Sequence, residues 1–244
     1  MAPLTGKTVL ITGGGSGIGL ATALAFAEQG CRVAIGGRDA EKLRQAATIW
    51  TGQPGILHHI VNVADRASVQ TFVDWAMAQL GQIDILVNGA GTNIKLRTMR
   101  EMPPAQWDEL LAINATGAYN MLYAVLPDMR ARQDGLVINI SSVAGLRALR
   151  LGGVAYCASK FAMTALGTAV GNEECVNNIR VTNIYPGEVD TPILQNRPTP
   201  VTPEHKARIL QAADVAAAAV FVASLPSRAH VPDLVIKPLS QEFC

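Results

Sequence analysis

The chain of 244 residues lacks the features that mark several large classes of protein. It has 20 Lys and Arg against 19 Asp and Glu, with no basic block, so no nucleic-acid or membrane surface is indicated. No apolar run reaches the roughly 18 to 20 residues of a spanning helix. The opening segment MAPLTGKTVLITGG lacks a charged stretch followed by a long apolar one, so we predict no signal peptide.

Cysteine is also scarce. The four cysteines are Cys31, Cys157, Cys175 and Cys244, and no pair has CxxC or metal-ligand spacing. This pattern predicts free thiols in a reducing compartment and no metal site. Together with the missing export signal, it predicts a soluble cytoplasmic protein without nucleic-acid or membrane partners.

Apolar residues are abundant, at 49%, while charged residues reach only 16%, which is typical of a globular chain with a large core. Short apolar runs alternate with longer helical patterns. The predicted strands are 7–12, 32–36, 55–61, 84–88, 136–141, 179–185 and 233–237. The predicted helices are 17–30, 40–50, 68–81, 104–131, 153–173 and 213–224, and Asp39 is placed to cap the second of them.

The predicted strands are continuous apolar runs, which indicates burial on both faces. Their alternation with helices predicts an α/β fold, with a doubly wound parallel sheet of about seven strands and helices on both faces. No linker or repeat divides the chain, so we predict a single domain over residues 1–244. The irregular stretch 187–210 is either a plain surface loop or a mobile lid beside the site, and we favour the lid.

The segment TGGGSGIG at 12–19 lies between the first strand and the first helix. A glycine-rich turn at this point lets backbone N–H groups approach a pyrophosphate at the helix N-terminus, where the helix dipole favours negative charge. The sequence therefore predicts a dinucleotide site. Its residues in this segment are Gly13, Ser16, Gly17, Ile18 and Gly19.

The second strand is followed by Gly37 and Arg38. A guanidinium beside small residues suits the 2′-phosphate of NADP, which it can pair bidentately. Asp39 comes too late for the ribose of NAD and fits better as a helix cap. We therefore predict that NADP(H) is preferred over NAD(H); the alternative is that Arg38 is a solvated loop residue.

Polar residues follow several predicted strands, where ligands bind in a parallel sheet. They are Asn88, Ser141, Ser142, Pro186 and Gly187. Tyr156 and Lys160 begin the helix after the fifth strand, and their spacing puts both side chains on one helix face.

This set of residues suits the reduction of a carbonyl, which needs a hydride from nicotinamide and a proton from an acid. A free tyrosine titrates at about 10, and a nearby Lys160 ammonium would lower the pKa of Tyr156. Ser142 can donate a hydrogen bond to the substrate oxygen. The sequence thus predicts an oxidoreductase that interconverts a carbonyl and an alcohol.

From about Lys7 to Pro238 the chain resembles the short-chain dehydrogenase/reductase family. The matching motifs are TGGGSGIG at 12–19, NGAG at 88–91, WDELLAINATG at 107–117, ISSVAG at 140–145, YCASK at 156–160 and YPGEVDTP at 185–192. The resemblance implies a Rossmann-like fold, a small-molecule carbonyl or alcohol substrate, and a homo-oligomer, either a tetramer or a dimer, formed through the helices at 104–131 and 153–173.

The resemblance also implies roles for individual residues. It implies a catalytic set of Ser142, Tyr156 and Lys160 with a supporting Asn114. Lys160 would also hold the nicotinamide ribose, and Asn114 would help to hold a water in a proton relay. Further cofactor-binding residues implied in the same way are Asn62, Val63, Asn88, Ala90, Gly91, Pro186, Gly187, Val189 and Thr191.

The chain departs from the family pattern at several positions. Gly89 replaces the second Asn of the usual NNAG, which we expect to change loop rigidity and not chemistry. Asn62 replaces the usual acid near the adenine and keeps an acceptor. The carboxyl-terminal IxPxxQ pattern replaces the frequent VDGG ending, so contacts between subunits would differ.

The spacing from Ser142 to Tyr156 is one residue longer than is usual in the family. Ser141 is therefore a rival for the catalytic serine, and Arg147, Leu149 and Arg150 would bulge towards the pocket. Regions 143–151 and 193–210 are expected to line that pocket.

The sequence leaves the substrate and the direction of the reaction open. Ketoacyl thioesters, sugars or polyols, and steroid-like ketones all remain candidates. The alternative to an enzyme is a nucleotide-sensing protein that binds NADP(H) without turnover.

Overall fold

The computed structural model describes residues 3–242, which build a seven-stranded parallel sheet and a small two-stranded sheet. The strands are β1 (Thr8–Thr12), β2 (Arg32–Gly37), β3 (Leu57–Ile60), β4 (Ile85–Asn88), β5 (Gly135–Ile140), β6 (Ile179–Pro186), β7 (Val189–Asp190), β8 (Leu210–Gln211) and β9 (Asp233–Ile236). The large sheet has the order β3-β2-β1-β4-β5-β6-β9. The order reverses between β1 and β4, which opens a crevice at the carboxyl ends of these strands.

The helices between the strands follow the predicted alternation. They are α1 (Gly17–Glu28), α2 (Ala40–Ile49), α3 (Arg66–Leu80), α4 (Pro104–Leu111), α5 (Gly117–Arg132), α6 (Val154–Glu174), α7 (Pro203–Lys206) and α8 (Ala212–Ala223). A π-helical turn at Ala112–Thr116 joins α4 to α5. The side chain of Asp39 accepts the N–H of Lys42 and so caps α2, as predicted.

Two hydrophobic cores lie on opposite faces of the sheet, because successive side chains of a strand point to opposite sides. Val9 and Ile11 join the core beneath α1, α2 and α8, whereas Leu10 joins the core beneath α3 and α5. Both cores consist mainly of aliphatic side chains with a few aromatic rings. The predicted α/β fold, a Rossmann-like doubly wound parallel sheet with helices on both faces, is confirmed.

Two sequence expectations about local structure were wrong. The edge strands β3 and β9 are not buried on both faces, since exposed and half-buried residues alternate along them. An edge strand has one neighbour and less helical cover, so one of its faces meets solvent. The stretch 187–210 is also not structureless, because it contains β7, a 3₁₀ turn at Pro192–Asn196, α7 and β8.

The cysteines that the structure describes, Cys31, Cys157 and Cys175, are free thiols, whereas Cys244 lies outside the described residues. Within residues 3–242, no helix is both long enough and apolar enough to cross a membrane.

A row of amide side chains crosses the sheet beneath α6. Asn88, Asn139, Asn183 and Asp233 occupy the same register on β4, β5, β6 and β9. Each amide nitrogen donates to the oxygen of the next side chain, over 3.0, 3.0 and 3.4 Å. The three asparagines are almost fully buried, so these bonds offset the cost of removing the amides from water.

Helix α6 lies directly on this amide row at Gly167. A Cβ atom at position 167 would overlap the side-chain atoms of Asn183 and Asn139. Glycine therefore sets how closely α6 approaches β5 and β6. Because α6 carries Tyr156 and Lys160, the same contact sets the height of these side chains above the sheet.

We expect Gly167→Ala to destabilise the protein by about 1 to 3 kcal/mol, because the added methyl group must displace a buried, hydrogen-bonded amide. Thermal denaturation should show a fall of about 2 to 4 °C for each kcal/mol lost. Gly171→Ala is the matched control on the same helix, since its Cβ would meet Val181 at an ordinary 3.4 Å. Equal melting temperatures for the two variants would contradict the close approach.

Candidate active site

The turn after β1 has a backbone that only glycine accommodates. Gly13 and Gly17 have φ angles of 72° and 53°, in the left-handed region. A Cβ on Gly13 would lie 2.7 Å from the carbonyl oxygen of Gly89, and one on Gly19 would overlap the backbone of Gly13. The turn is thus folded tightly against both α1 and the loop after β4.

The N-terminus of α1 opens at this turn. Ser16 occupies the N-cap position with extended backbone, yet its side chain caps no N–H of the helix. The first N–H groups of α1, at Gly17, Ile18 and Gly19, have no partner within the helix. They present a positive dipole end, which is a ready site for an anionic phosphate.

The loop after β4 is fastened to the same turn by one hydroxyl. The Oγ1 of Thr12 accepts the N–H groups of Gly89 and Ala90, both at 3.2 Å. A Cβ at position 89 would lie 2.7 Å from the carbonyl oxygen of Thr12. Gly89, which replaces the second Asn of the family pattern, therefore allows the backbones of the turns after β1 and β4 to make contact.

A single cavity of about 410 Å³ joins the glycine-rich turn to the start of α6. Most of the predicted site residues line it. They are Gly13, Ser16, Gly17, Ile18, Gly19, Gly91, Ser142, Tyr156, Lys160, Pro186, Gly187, Val189 and Thr191. The structure therefore brings together the predicted phosphate-binding turn and the predicted reacting side chains.

The other predicted site residues lie outside this cavity. They are Arg38, Asn62, Val63, Asn88, Ala90 and Asn114. Arg38 is exposed just past β2, and within residues 3–242 its side chain has no hydrogen-bond or ion-pair partner. Asn62 is exposed, and its Oδ1 accepts the N–H of Ala64 at 3.2 Å. The acceptor expected near an adenine is thus already engaged in a local turn.

Lys160 is buried, with 4% of its surface exposed. Its Nζ donates to the carbonyl oxygen of Ile140 at 2.8 Å and lies 5.8 Å from the centre of the Tyr156 ring. Burial disfavours the charged form and lowers the pKa of Lys160 to about 8. The ammonium is therefore held at the junction of β5 and α6, next to the phenol.

The pKa of Tyr156 shifts in the direction opposite to the predicted one. Its pKa is raised, because burial of the phenol outweighs the hydrogen bond from Ser142 and the positive charge of Arg97, which both act to lower it. The positive charge of Arg97, which the sequence analysis did not consider, thus acts on the phenol as well. The i, i+4 spacing predicted proximity correctly, but it could not reveal the burial that dominates the pKa.

The two serines after β5 have different surroundings. The Oγ of Ser141 lies 3.4 Å from the carbonyl oxygen of Lys160 and 3.2 Å from Oγ1 of Thr164, so it faces the body of α6. Ser142 accepts the N–H of Ala144 at 3.1 Å and also bonds the hydroxyl of Tyr156. Both serines line the cavity, and Ser142 is the one that acts to lower the pKa of the Tyr156 phenol.

Asn114 is fully buried inside the π-helical turn, away from the cavity. Its amide nitrogen donates to the carbonyl oxygen of Thr92 at 3.0 Å and to Oγ of Ser159 at 2.9 Å, and its oxygen accepts the N–H of Thr92 at 2.8 Å. The side chain thus ties the loop after β4 to α6. π-helical turns of this kind are frequent at functional sites.

Sequence reasoning missed several polar residues that line the cavity, among them Arg97 and Gln241. Arg97 is buried in an irregular stretch that has no spacing signal. Gln241 is the last residue of the IxPxxQ pattern, and its Oε1 accepts the N–H of Glu188 at 2.9 Å. The tail that was expected to alter subunit contacts therefore also braces the wall of the cavity.

The residues Arg147, Leu149 and Arg150, in the loop before α6, were expected to bulge towards the pocket. Leu149 lines the cavity, together with Leu151, whereas Arg147 and Arg150 do not.

Within residues 3–242, no group of three His, Cys, Asp or Glu side chains is placed to hold a metal ion.

Comparisons with known proteins agree with this arrangement. Residues 7–201 match the family model described as short chain dehydrogenase. An uncharacterized oxidoreductase of Staphylococcus saprophyticus is 32% identical over 241 residues, which cover 98% of this chain and 100% of that protein.

Solved structures of similar fold carry nicotinamide cofactors. An alcohol dehydrogenase of Thermococcus sibiricus, complexed with 5-hydroxy-NADP, has a TM-score of 0.87 at 26% identity and covers 97% of this chain and 98% of that one. A 3-ketoacyl-(acyl-carrier-protein) reductase of Brucella melitensis, complexed with NADH, has a TM-score of 0.87 at 27% identity, covering 96% and 98%. The chain therefore belongs to the short-chain dehydrogenase family and is an NAD(P)-dependent oxidoreductase.

Proposed function

We propose that this oxidoreductase uses NADP(H) to interconvert a small carbonyl compound and the corresponding alcohol, with Ser142, Tyr156 and Lys160 as its catalytic residues. One observation carries the proposal. The free helix N-terminus at Gly17–Gly19 and the hydroxyl of Tyr156 line the same cavity. A dinucleotide with its phosphates at α1 would then extend towards the phenol.

The chain's own residues account for the proton and for the polarisation of the carbonyl. The cofactor supplies a hydride to the carbonyl carbon when it is bound. Tyr156 then gives its proton to the carbonyl oxygen, and the hydroxyl of Ser142 donates a hydrogen bond to the same oxygen. In the reverse direction the phenolate of Tyr156 takes the proton from the alcohol.

Lys160 and Asn114 have supporting roles in this proposal. Two N–H groups of the Lys160 ammonium go to the carbonyl oxygen of Ile140 and, over 3.8 Å, to Sδ of Met163, which leaves one for a ribose hydroxyl or for water. The amide of Asn114 holds Thr92 and Ser159 in place, so its side chain positions the loop after β4 and α6. The proton relay expected at this position would therefore use groups other than this amide nitrogen.

The preference for NADP(H) is supported by Arg38, which is exposed and unpaired within the described residues and follows β2 at the edge where the cofactor would bind. Small residues surround the same corner, because Gly37 and Gly15 both pack against Leu43 without a side chain of their own. Such a corner leaves room for a 2′-phosphate beside the guanidinium.

An oligomer and a lid are also part of the proposal. Helices α5 and α6 expose large apolar side chains, namely Tyr119, Tyr123 and Phe161, which suit a contact between subunits. The segment from Thr191 to Arg197 lines the cavity, and its first residues lie beside Gly17 at the start of α1. Closure of this segment over the substrate would exclude water from the reacting carbonyl.

We expect Tyr156→Phe to remove turnover while NADPH binding persists, because the ring remains and only the proton donor is lost. Oxidation of NADPH should be followed spectroscopically against a panel of diketones, aldehydes, ketoacyl thioesters and cyclic ketones. The activity should fall by a factor on the order of 10² to 10⁴. The melting temperature with NADPH reports binding in the same variant.

Each departure from this result has a distinct meaning. Loss of both binding and turnover in Tyr156→Phe would mean that Tyr156 is structural. A wild-type protein that is stabilised by NADPH yet inactive across the panel would favour a nucleotide-sensing protein.

We expect Arg38→Asp to shift the preference towards NADH, because a 2′-phosphate would lose a charge-assisted pair and meet a carboxylate. The dissociation constant for NADPH should rise by about 30-fold to 100-fold, and that for NADH should change little. Titration of each dinucleotide by calorimetry measures both. Arg228→Asp, near the amino end of β9 at the opposite edge of the sheet, controls for the change in net charge. An unchanged ratio of the two constants in Arg38→Asp would refute the role of Arg38.

The raised pKa of Tyr156 predicts different pH profiles for the two directions of the reaction. At neutral pH the phenol keeps its proton, so carbonyl reduction should vary little between about pH 6 and pH 8. Alcohol oxidation needs the phenolate, so kcat/KM should rise by up to about tenfold per pH unit until Tyr156 titrates. Steady-state rates in mixed buffers of constant ionic strength test this. Oxidation that slows as the pH rises over that range would contradict the assignment of Tyr156 as the base.

A further inference from the structure

Arg97 is a buried cation without a counter-charge. It is 8% exposed and lies in the loop between β4 and α4. Its Nε donates to the carbonyl oxygen of Ile94 at 2.6 Å, and its terminal nitrogens donate to the carbonyl oxygens of Leu151 and, at 2.8 Å, Asn196. No carboxylate within residues 3–242 forms an ion pair with it.

These bonds leave some donors of the guanidinium of Arg97 free. A guanidinium has five N–H groups, and three of them are used by the backbone carbonyls. One N–H on each terminal nitrogen is left over, and Arg97 lines the same cavity as Tyr156. The charge of Arg97 also reaches the phenol, since it acts to lower the pKa of Tyr156.

The second arginine of the cavity is neutralised. Arg197 pairs with Glu188 at 2.9 Å, and both residues line the cavity. Arg197 nevertheless acts to lower the pKa of Arg97, as expected of two like charges near each other. With Arg197 and Glu188 cancelling, the charges that remain on the wall are those of Arg97 and Lys160.

A buried positive charge of this kind costs free energy unless an anion pairs with it. The surroundings hold the guanidinium in place for such an anion. Asn93 donates to the carbonyl oxygen of Gly152 at 3.2 Å, and Asn196 donates to the carbonyl oxygen of Asn93 at 2.9 Å. The loop after β4, the loop before α6 and the 3₁₀ turn at Pro192–Asn196 thus form one wall around Arg97.

We propose that Arg97 binds a carboxylate of the substrate, so that the enzyme acts on short oxoacids and the corresponding hydroxyacids. This inference rests on the proposed function and narrows its substrate class. The substrate would lie with its carboxylate on the free N–H groups of Arg97 and its carbonyl oxygen between Ser142 and Tyr156. The carbonyl carbon receives the hydride of NADPH, the oxygen receives the proton of Tyr156, and the carboxylate is unchanged.

The size of the cavity agrees with a short substrate. Its volume of about 410 Å³ extends from the glycine-rich turn to Arg97 and has to hold the nicotinamide end of the cofactor as well. Apolar side chains also line the cavity, among them Leu149, Leu151 and Leu194. Such a wall suits the few methylene groups of a short chain.

The experiment compares acids with their methyl esters, which have the same carbonyl and no charge. The pairs are 2-oxobutanoate, 3-oxobutanoate and 4-oxopentanoate, each with its ester, and kcat/KM is measured with NADPH. We expect the acid of at least one pair to be preferred by about tenfold or more. In Arg97→Gln the kcat/KM for that acid should fall by about 100-fold, and the loss for the ester should be at least about tenfold smaller.

Two further variants separate charge recognition from a purely structural brace. Arg97→Lys keeps the charge but cannot bridge three carbonyls, so it should retain part of the preference for the acid. Arg100→Gln removes a charge from the same loop at an exposed position and should leave the ratio of acid to ester unchanged. Equal losses for acid and ester in both Arg97 variants would overturn the proposal.

A binding measurement keeps this test separate from the test of turnover. In the NADPH complex of Tyr156→Phe, calorimetry with 3-oxobutanoate, 2-oxobutanoate and 4-oxopentanoate does not depend on reaction. Binding of an acid that Arg97→Gln weakens by about 100-fold supports the carboxylate site even in a protein without turnover. Absence of acid binding in this complex, with active turnover of neutral ketones by the wild type, would refute the inference and leave the proposed function standing.

Discussion

The contact between the turns after β1 and β4 is the constraint on which the site depends. Gly13 and Gly89 meet backbone to backbone, and the hydroxyl of Thr12 holds the second turn against the first. From there the amide of Asn114 ties the loop after β4 to Ser159 on α6. The glycine-rich turn after β1 and helix α6 are thus joined through a continuous series of short contacts.

The electrostatics of the cavity differ between its two ends. The α1 end offers backbone N–H groups and a helix dipole, which suit phosphate without a charged side chain. The α6 end holds charged side chains that burial disfavours, so the pKa values of Lys160 and Arg97 fall while that of Tyr156 rises. All three pKa shifts have the same main cause, because burial raises the free energy of the ionised form of each group. The α6 end is stabilised most by a ligand that brings the missing charge.

Much of the fold was readable from the sequence, because apolar runs and glycine turns are local signals. The order of the strands is not local, so the exposure of β3 and β9 could not be predicted. The candidate site also contains residues that local patterns reveal and residues that they do not. Tyr156 and Lys160 share one helix and could be paired by spacing, whereas Arg97 acquires its role only where segments near residues 94, 151 and 196 meet. No spacing rule links those segments, so its burial and its unpaired charge appear only in the folded chain.

The amide row beneath α6 has a consequence for how the sequence can diverge. Asn139 donates to one neighbour and accepts from the other, so replacing it alone leaves a buried donor on Asn88 and a buried acceptor on Asn183 without partners. Replacing the three asparagines together would remove these mutual donors and acceptors at once. Substitutions along the row are therefore strongly non-additive, and related chains should keep these positions or change them as a set. Covariation across β4, β5 and β6 would be the evolutionary trace of one hydrogen-bonded row.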